Sequence, residues 1–310
     1  MRFCFIIEEE YRHDPMPMVV ADQLMRWGHT VDLLEPQETV TCLSTMLEQG
    51  YDAYVLKTVA DGPGLSILEA AEAVGIPTIN NSRAIRLVRD KAVAAAFAHA
   101  HGLPMPPTYF VAHPRLLAQI APEEYPLVVK PSNGSSCRGI YLLHSPADLT
   151  ALDIAEANES FFLAQRYAEN TGFDIKIYVT GREAYAAIAK KSPLHADVEE
   201  EFIPLSKELR KLALDVGKLF GLDIYGIDVV ETPEGLALLD INDFPSFGRV
   251  PKAVINVAEY ILHAAKRAEM RRNARIKRNM QRRHNAQRQH PLNPSQEILP
   301  PLLEITGSHP

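Results

Sequence analysis

Two short runs, Tyr225-Gly-Ile-Asp-Val-Val230 and Leu238-Leu-Asp-Ile-Asn242, decide how this 310-residue sequence is read. Both are apolar enough to be strands, over Ile224–Val230 and Leu236–Ile241, and the turn residues Glu231-Thr-Pro-Glu-Gly235 separate them. Residues two apart on a strand share a face, so Asp240 and Asn242 reach one point in space, and Asp228 on the neighbouring strand faces them. Two carboxylates and an amide are hard oxygen ligands, suited to Mg²⁺, or to Mn²⁺ as an alternative, held together with phosphates. Any one of these residues alone reads equally as an acidic strand rim or a turn cap. All three in this order favour a metal site.

Outward from that hairpin, the pattern is mixed. The first 80 residues alternate strand and helix: strands over Arg2–Ile7, Thr30–Leu34 and Ala53–Leu56 and one entered from Gly75, with helices over Met16–Gly28, Thr41–Gln49 and Leu65–Val74. Such alternation implies a parallel sheet. A long helix is expected over Ala84–His101, stopped by Gly102 and Pro104, and a shorter one near Pro114–Ile120. Strands follow over Thr108–Val111 and Tyr125–Lys130. The glycine- and serine-rich loop Ser132-Asn-Gly-Ser-Ser-Cys-Arg-Gly139 and the strand Ile140–Leu143 come next. Strand, flexible loop, strand is neither a Rossmann turn nor a Walker loop, and neither of those motifs occurs in the chain. Phe161–Arg166, Phe173–Thr180 and Glu183–Lys190 are strand-like, Ser206–Phe220 is an amphipathic helix and Val254–Ala268 a last one.

Composition narrows the class. The chain is 46% hydrophobic and 23% charged, as a soluble globular protein is. No apolar stretch approaches the roughly 18–20 residues that span a bilayer. The start lacks a signal peptide's cleavage region. Cys4, Cys42 and Cys137 are scattered and odd in number, so neither a zinc site nor a disulfide framework is expected, and a reducing, cytoplasmic setting is. Residues 266–290 hold ten Lys or Arg and one Glu, a net +9; with −7 overall, the rest of the chain carries −16. This basic segment has no core face. Disorder or a lone exposed helix is expected, as is weak contact with nucleic acid or an acidic partner. A homo-oligomer is compatible with the sequence.

Seven blocks in order resemble the RimK-like branch of the ATP-grasp enzymes, which includes glutamate ligases. They are Asn81-Ser82 through Arg89-Asp90-Lys91, Gly102-Leu-Pro-Met-Pro106, Pro126-Leu-Val-Val-Lys-Pro-Ser-Asn-Gly-Ser-Ser136, Phe162-Leu-Ala-Gln-Arg-Tyr167, Phe173-Asp-Ile-Lys-Ile-Tyr-Val-Thr-Gly181, Gly226-Ile-Asp228 and Asp240-Ile-Asn242. The resemblance covers about Asn80 to Ile261. It implies a parallel-sheet α/β pre-ATP-grasp domain over residues 1–82 and a two-lobed α+β ATP-grasp domain over 83–268. The nucleotide lobe would take about 92–165 and the metal lobe about 166–268, before a tail over 269–310.

It also implies roles. Lys91 and Lys130 would neutralise ATP phosphates, and Ser135 and Ser136 of the glycine loop would close over them. Gln165, Arg166 and Tyr167 would meet adenine, with Asp174 near the ribose. Lys176, Lys190 and Arg138 would serve catalysis by binding phosphate or the substrate's anion, and Asp228, Asp240 and Asn242 would hold Mg²⁺. The implied reaction joins a carboxylate of a small molecule or peptide to an amine by way of an acyl phosphate. Two features depart from the pattern. An acidic stretch, Ser192–Glu201, stands where a basic loop is usual, and Asp240-Ile-Asn-Asp-Phe-Pro-Ser-Phe247 replaces E-x-N-x-S-P-G. The second form, with Lys190-Lys191-Ser-Pro, is similar to inositol polyphosphate kinases of the same fold. A small-molecule kinase with a basic pocket from Lys176, Lys190, Lys191, His195, Arg249 and Lys252 is therefore the alternative.

Overall fold

The structure, a computed structural model, describes residues 1–57, 62–131, 140–151, 161–191, 201–247 and 250–289. Met1–Ala265 forms one compact unit, and a second begins at Lys266. The N-terminal strands β1 (Arg2–Ile7), β2 (Thr30–Leu34), β3 (Ala53–Lys57) and β4 (Thr78–Ile79) make a parallel sheet in the order β2-β1-β3-β4, as the alternation predicts. Helix α1 (Pro15–Arg26) starts where Asp14 caps it, accepting the Met16 N–H at 2.9 Å, with Pro15 in the first turn. Helix α2 (Pro63–Ala73) crosses from β3 to β4. The expected helices over Thr41–Gln49 and Pro114–Ile120 are 3₁₀ turns, Leu43–Gln49 and Pro114–Gln119.

The helix expected over Ala84–His101 is two: α3 (Ser82–Arg89) and α4 (Lys91–Ala100). Asp90 breaks it. Its backbone is extended, and its carboxylate accepts the Ala92 and Val93 N–H groups at 3.0 Å each. An aspartate favours capping over a helix interior, and here the cap wins over the apolar periodicity around it. The break leaves Lys91 as the first residue of α4.

Two antiparallel sheets follow. One has the order β5-β8-β6-β7, from β5 (Thr108–Val111), β6 (Leu127–Pro131), β7 (Tyr141–Leu143) and β8 (Phe162–Arg166). The other has the order β11-β10-β9-β12-β13, from β9 (Phe173–Thr180), β10 (Glu183–Lys191), β11 (Glu201–Ile203), β12 (Ile224–Thr232) and β13 (Gly235–Asp243). Ile175, Ile177, Val179, Ile227 and Ile241 of the second sheet pack against Leu209, Ala213 and Val216 of α5 (Lys207–Phe220) and Ala94, Ala95 and Ala98 of α4. Period-2 alternation on β9, β12 and β13 thus gives one face to this core and the other to the residues beside Lys176, Asp228 and Asp240.

The last helix, α6, runs from Ala253 to Gln289. Its Val257, Ala258, Ile261 and Ala265 share a core with Phe3 and Phe5 of β1 and Phe244 and Phe247 beyond β13. The segment expected to be disordered or a lone exposed helix is helical through Gln289, and residues 290–310 lie outside the described part. Among the described residues no helix is long and apolar enough to cross a membrane.

The contact of α5 with β12 is close. A Cβ built on Gly217 would lie 2.1 Å from the Tyr225 hydroxyl, which donates to the Ala213 carbonyl at 2.7 Å. Alanine in place of a helical glycine ordinarily stabilises by ~1 kcal/mol. Overpacking reverses the sign here, so Gly217→Ala should lower stability in urea denaturation by ~2 kcal/mol. A neutral or stabilising result would show that α5 does not sit on Tyr225.

Candidate active site

Register places the polar residues of the large sheet in one row. Lys176 on β9 is opposite Asp228 on β12, and Asp228 is opposite Asp240 on β13. Asn242 and Asp174 stand two residues along from members of that row, hence on the same face. The contacts agree. Lys176 Nζ is 3.7 Å from Asp228 Oδ1, and Asn242 Nδ2 donates to Asp228 Oδ2 at 3.2 Å. Lys91, from the first turn of α4, brings its Nζ to 3.2 Å from Asp240 Oδ2. Burial acts to raise the pKa of the Asp240 carboxyl. The ammonium groups of Lys91 and Lys130 outweigh burial and hold it below the ordinary carboxylate value.

Above this row is a pocket between the two antiparallel sheets. Lys91, Lys130, Gln165 and Asp240 supply its polar lining, and Met105, Leu163 and Leu239 are among its apolar walls. Lys130 ends its strand run pointing inward, donating to the Leu239 carbonyl at 3.2 Å and approaching Gln165 Oε1 at 3.5 Å. Gln165 is buried and donates to Thr108 Oγ1 at 3.1 Å. The cavity, about 20 Å³, has room for about one water, so what it offers a heterocycle with an anionic chain is the chemistry of its lining, two lysines beside apolar walls, rather than open space.

The remaining expected residues fall as follows. Arg166 is exposed, 4.0 Å from Glu124, and neither it nor Tyr167 lines the pocket. Their backbone N–H groups are already bound to the Pro107 and Pro126 carbonyls, both at 2.8 Å. Asp174 is buried opposite Lys190 in the β9–β10 register. Only the backbone of Lys190 and Lys191 is described. Ser135, Ser136, Arg138, His195 and Arg249 lie outside the described residues.

A second cluster, not expected from the sequence, adjoins the end of β13. Lys57 closes β3 and is 4% exposed. Its ammonium donates to the Phe244 carbonyl at 2.7 Å and pairs with Asp14 Oδ2 at 3.0 Å, beneath the Tyr11 ring at 4.8 Å. Ser246 Oγ also donates to Asp14. Burial pushes the Lys57 pKa down, and Asp14 opposes that shift. Next to it Arg89, at the end of α3, lies 2.5 Å from buried Asp243. Burial acts against the Arg89 charge, yet Asp243 and Tyr11 together outweigh it and the pKa is raised. Phe244 and Phe247 take positive φ, +42° and +54°, an uncommon conformation for side chains of this size. The departure Asp243-Phe-Pro-Ser-Phe247 is thus a turn held by Lys57, Arg89 and Asp14.

A family model described as the RimK-like ATP-grasp domain matches residues 88–265. The chain belongs to the RimK-like ATP-grasp family. A protein of Legionella pneumophila (strain Corby) named probable alpha-L-glutamate ligase is 30% identical over 221 residues, covering 66% of this chain and 72% of that one. Two solved structures share the fold. The D-alanine–D-alanine ligase of Bacillus anthracis, complexed with ATP, has a TM-score of 0.66 at 16% identity, covering 88% of this chain and 99% of that one. The ATP-grasp ligase PsnB, complexed with a minimal precursor, Mg and ADP, has a TM-score of 0.63 at 17% identity, covering 86% and 96%. This ATP-grasp chain is accordingly an ATP-dependent enzyme of the carboxylate–amine ligase type, and the kinase alternative is not favoured.

The residues fit the ion. Asp228 Oδ1 is buried and accepts no hydrogen bond, and its charge is met by the Lys176 ammonium at 3.7 Å, which leaves the oxygen's lone pairs open to a closer cation. Among the described residues no three His, Cys, Asp or Glu side chains converge into a full cage. Two carboxylates and an amide suit Mg²⁺, which keeps water and substrate phosphates as its other ligands.

Removing Lys57 should strand a mostly buried carboxylate. Lys57→Met is expected to lower stability by ~3 kcal/mol in urea denaturation, more than an exposed pair contributes. A loss below ~1 kcal/mol would show that Lys57 does not hold the turn.

Proposed function

We propose that this ATP-grasp ligase phosphorylates a carboxylate of a small molecule or peptide and joins it to an amine, with the row Lys176–Asp228–Asp240–Asn242 as its chemical centre. The observation that carries the reading is the placement of Asp228, Asp240 and Asn242 on one sheet face beside a pocket whose entry lysines are Lys91 and Lys130. When bound, Mg²⁺ would neutralise phosphate charge and align the phosphoryl group. Lys91 and Lys130 would bind the phosphate chain, releasing Asp240 to the ion. Gln165 and the apolar wall would orient the base. Lys176 would stabilise charge on the transferring group, with Lys190 and Arg138 assigned to substrate anions and Ser135 and Ser136 to the phosphate loop. The carboxylate oxygen attacks the γ-phosphorus, ADP leaves, and the amine then displaces phosphate from the acyl carbon. Of the expected hinge, Gln165 is the member with a side chain in the pocket; Arg166 and Tyr167 are assigned to shaping it through their backbone.

The Legionella relative's name supports an amino acid as the amine donor. Contact of the basic segment with nucleic acid, a homo-oligomeric state and a cytoplasmic location are part of the same proposal. The location is supported by the free thiols of Cys4 and Cys42.

Product analysis tests the chemistry. With candidate acids and amines supplied together, ADP and free phosphate should appear in equal amounts, with neither formed when the acid is omitted and no sustained turnover when the amine is omitted. Asp240→Asn should lower turnover by ~100-fold or more, the scale for losing one group that stabilises transition-state charge. ADP formed without free phosphate, alongside a phosphorylated hydroxyl compound, would overturn the ligase reading.

A further inference from the structure

The ligase chemistry makes no use of the basic half of α6. From Lys266 to Gln289 the backbone is helical, and Lys266, Arg271, Arg272, Lys277, Arg278 and Arg282 are all exposed. At about 100° per residue these six positions spread over an arc of about 240° around the helix rather than forming one stripe. The order Lys-Arg-x-x-x-Arg-Arg occurs at Lys266–Arg272 and again at Lys277–Arg283. Eleven residues are about three turns and about 16 Å, so each charge returns to nearly the same side. Arginine outnumbers lysine over 266–289, and Asn273, Asn279, Asn285, Gln281, Gln287 and Gln289 fill the intervals.

That distribution selects among anionic partners. A membrane surface wants cations on one side and bulky apolar residues on the other. This segment has only three bulky apolar residues, Met270, Ile276 and Met280; they fall within an arc of about 120° but are too few over about seven turns to make a continuous apolar face. A single strand wants aromatic platforms, and 266–289 has no Phe, Tyr or Trp. Cations around two-thirds of the girth fit a partner that encloses the helix with phosphate on both flanks. B-DNA's groove, about 12 Å wide and 8.5 Å deep, takes a helix over part of its girth. The major groove of A-form RNA is deeper, and a bulge or internal loop opens it. Guanidinium groups bind phosphate in bidentate fashion, and amide side chains bond to base edges.

We propose that residues 266–289 bind structured RNA, lying in the deep groove of a bulged stem. The proposal does not depend on the ligase reading. It is tested on the full chain by fluorescence anisotropy with a labelled, bulged RNA hairpin, across a salt series. Wild type should bind, with affinity falling steeply as salt rises. The variant Arg271→Gln, Arg272→Gln, Arg278→Gln, Arg282→Gln should bind at least about tenfold more weakly at moderate salt, with a log–log salt slope shallower by about three. The matching Arg→Lys variant should keep most of the salt slope. It separates loss of charge from loss of fold, as does an unchanged melting curve in the Gln variant. Equal RNA binding by the Gln variant would overturn the proposal. So would binding of a DNA duplex, polyglutamate or phosphatidylglycerol vesicles as tightly as the hairpin.

Discussion

The arrangement of the site depends on a buried ammonium group. Lys57 stands at the carboxyl end of β3, and its Nζ donates to the carbonyl of Phe244, the residue after β13. The N-terminal sheet and the strand bearing Asp240 and Asn242 are thereby tied at one atom. An unpaired charge at 4% exposure would be costly, so its partners are fixed with it: Asp14, which also caps α1, and the ring of Tyr11. A second tie lies beside it, at the start of β12, where the buried side chain of Asn80 bonds to the backbone of Asp223 and Ile224, three contacts at 2.7 Å. Together they leave β12 and β13 little freedom relative to the parallel sheet. That sheet has its topological switch between β1 and β3, the edge where α/β proteins place ligands. The tie sits at that edge.

Most of this architecture was legible because period and charge coincide on the same strands. The alternation of β9, β12 and β13 announces one apolar and one polar face, and Asp228, Asp240 and Asn242 fall on the polar one. Lys130 announced itself by ending an apolar run before a glycine loop. Lys57 sent no such signal. It ends an apolar strand with no phosphate-loop signature after it, and the partner that gives it meaning is 187 residues away. Arg89 stands in a block that matches the family and Asp243 in the stretch that departs from it, and their pairing is a tertiary fact that no spacing expresses. The split of α3 from α4 is a local failure of a different kind. Alanine-rich periodicity favoured one helix, and a single aspartate with two backbone donors in reach outweighed it.

The split matters for chemistry as well as for topology. Had the helix continued through Asp90, Lys91 would be an interior position with its direction set by the helix axis. As the first residue of α4 it reaches Asp240 across the pocket floor. Arg89, two residues earlier on the preceding helix, reaches Asp243. One three-residue corner therefore holds β13 at two points, Asp240 from the pocket side and Asp243 from the buried side.

On the proposed assignment this geometry also explains how the site tolerates its own charges without nucleotide. Asp240 is held ionised by Lys91 and Lys130, and Asp228 lies near Lys176 with one oxygen free of hydrogen bonds. Each carboxylate is thus paired with the kind of group that a phosphate chain would claim. An incoming Mg²⁺–ATP exchanges partners on both sides at once, ammonium to phosphate and carboxylate to cation. After the exchange each ammonium faces phosphate and each carboxylate faces the cation, so no group has to be left buried and unpaired, which is the costly alternative in a half-buried site. Two adjacent carboxylates flanked by ammonium groups, Lys176 on β9 and Lys91 on α4, are what make that exchange available, and it follows from the register that sets Lys176, Asp228 and Asp240 side by side.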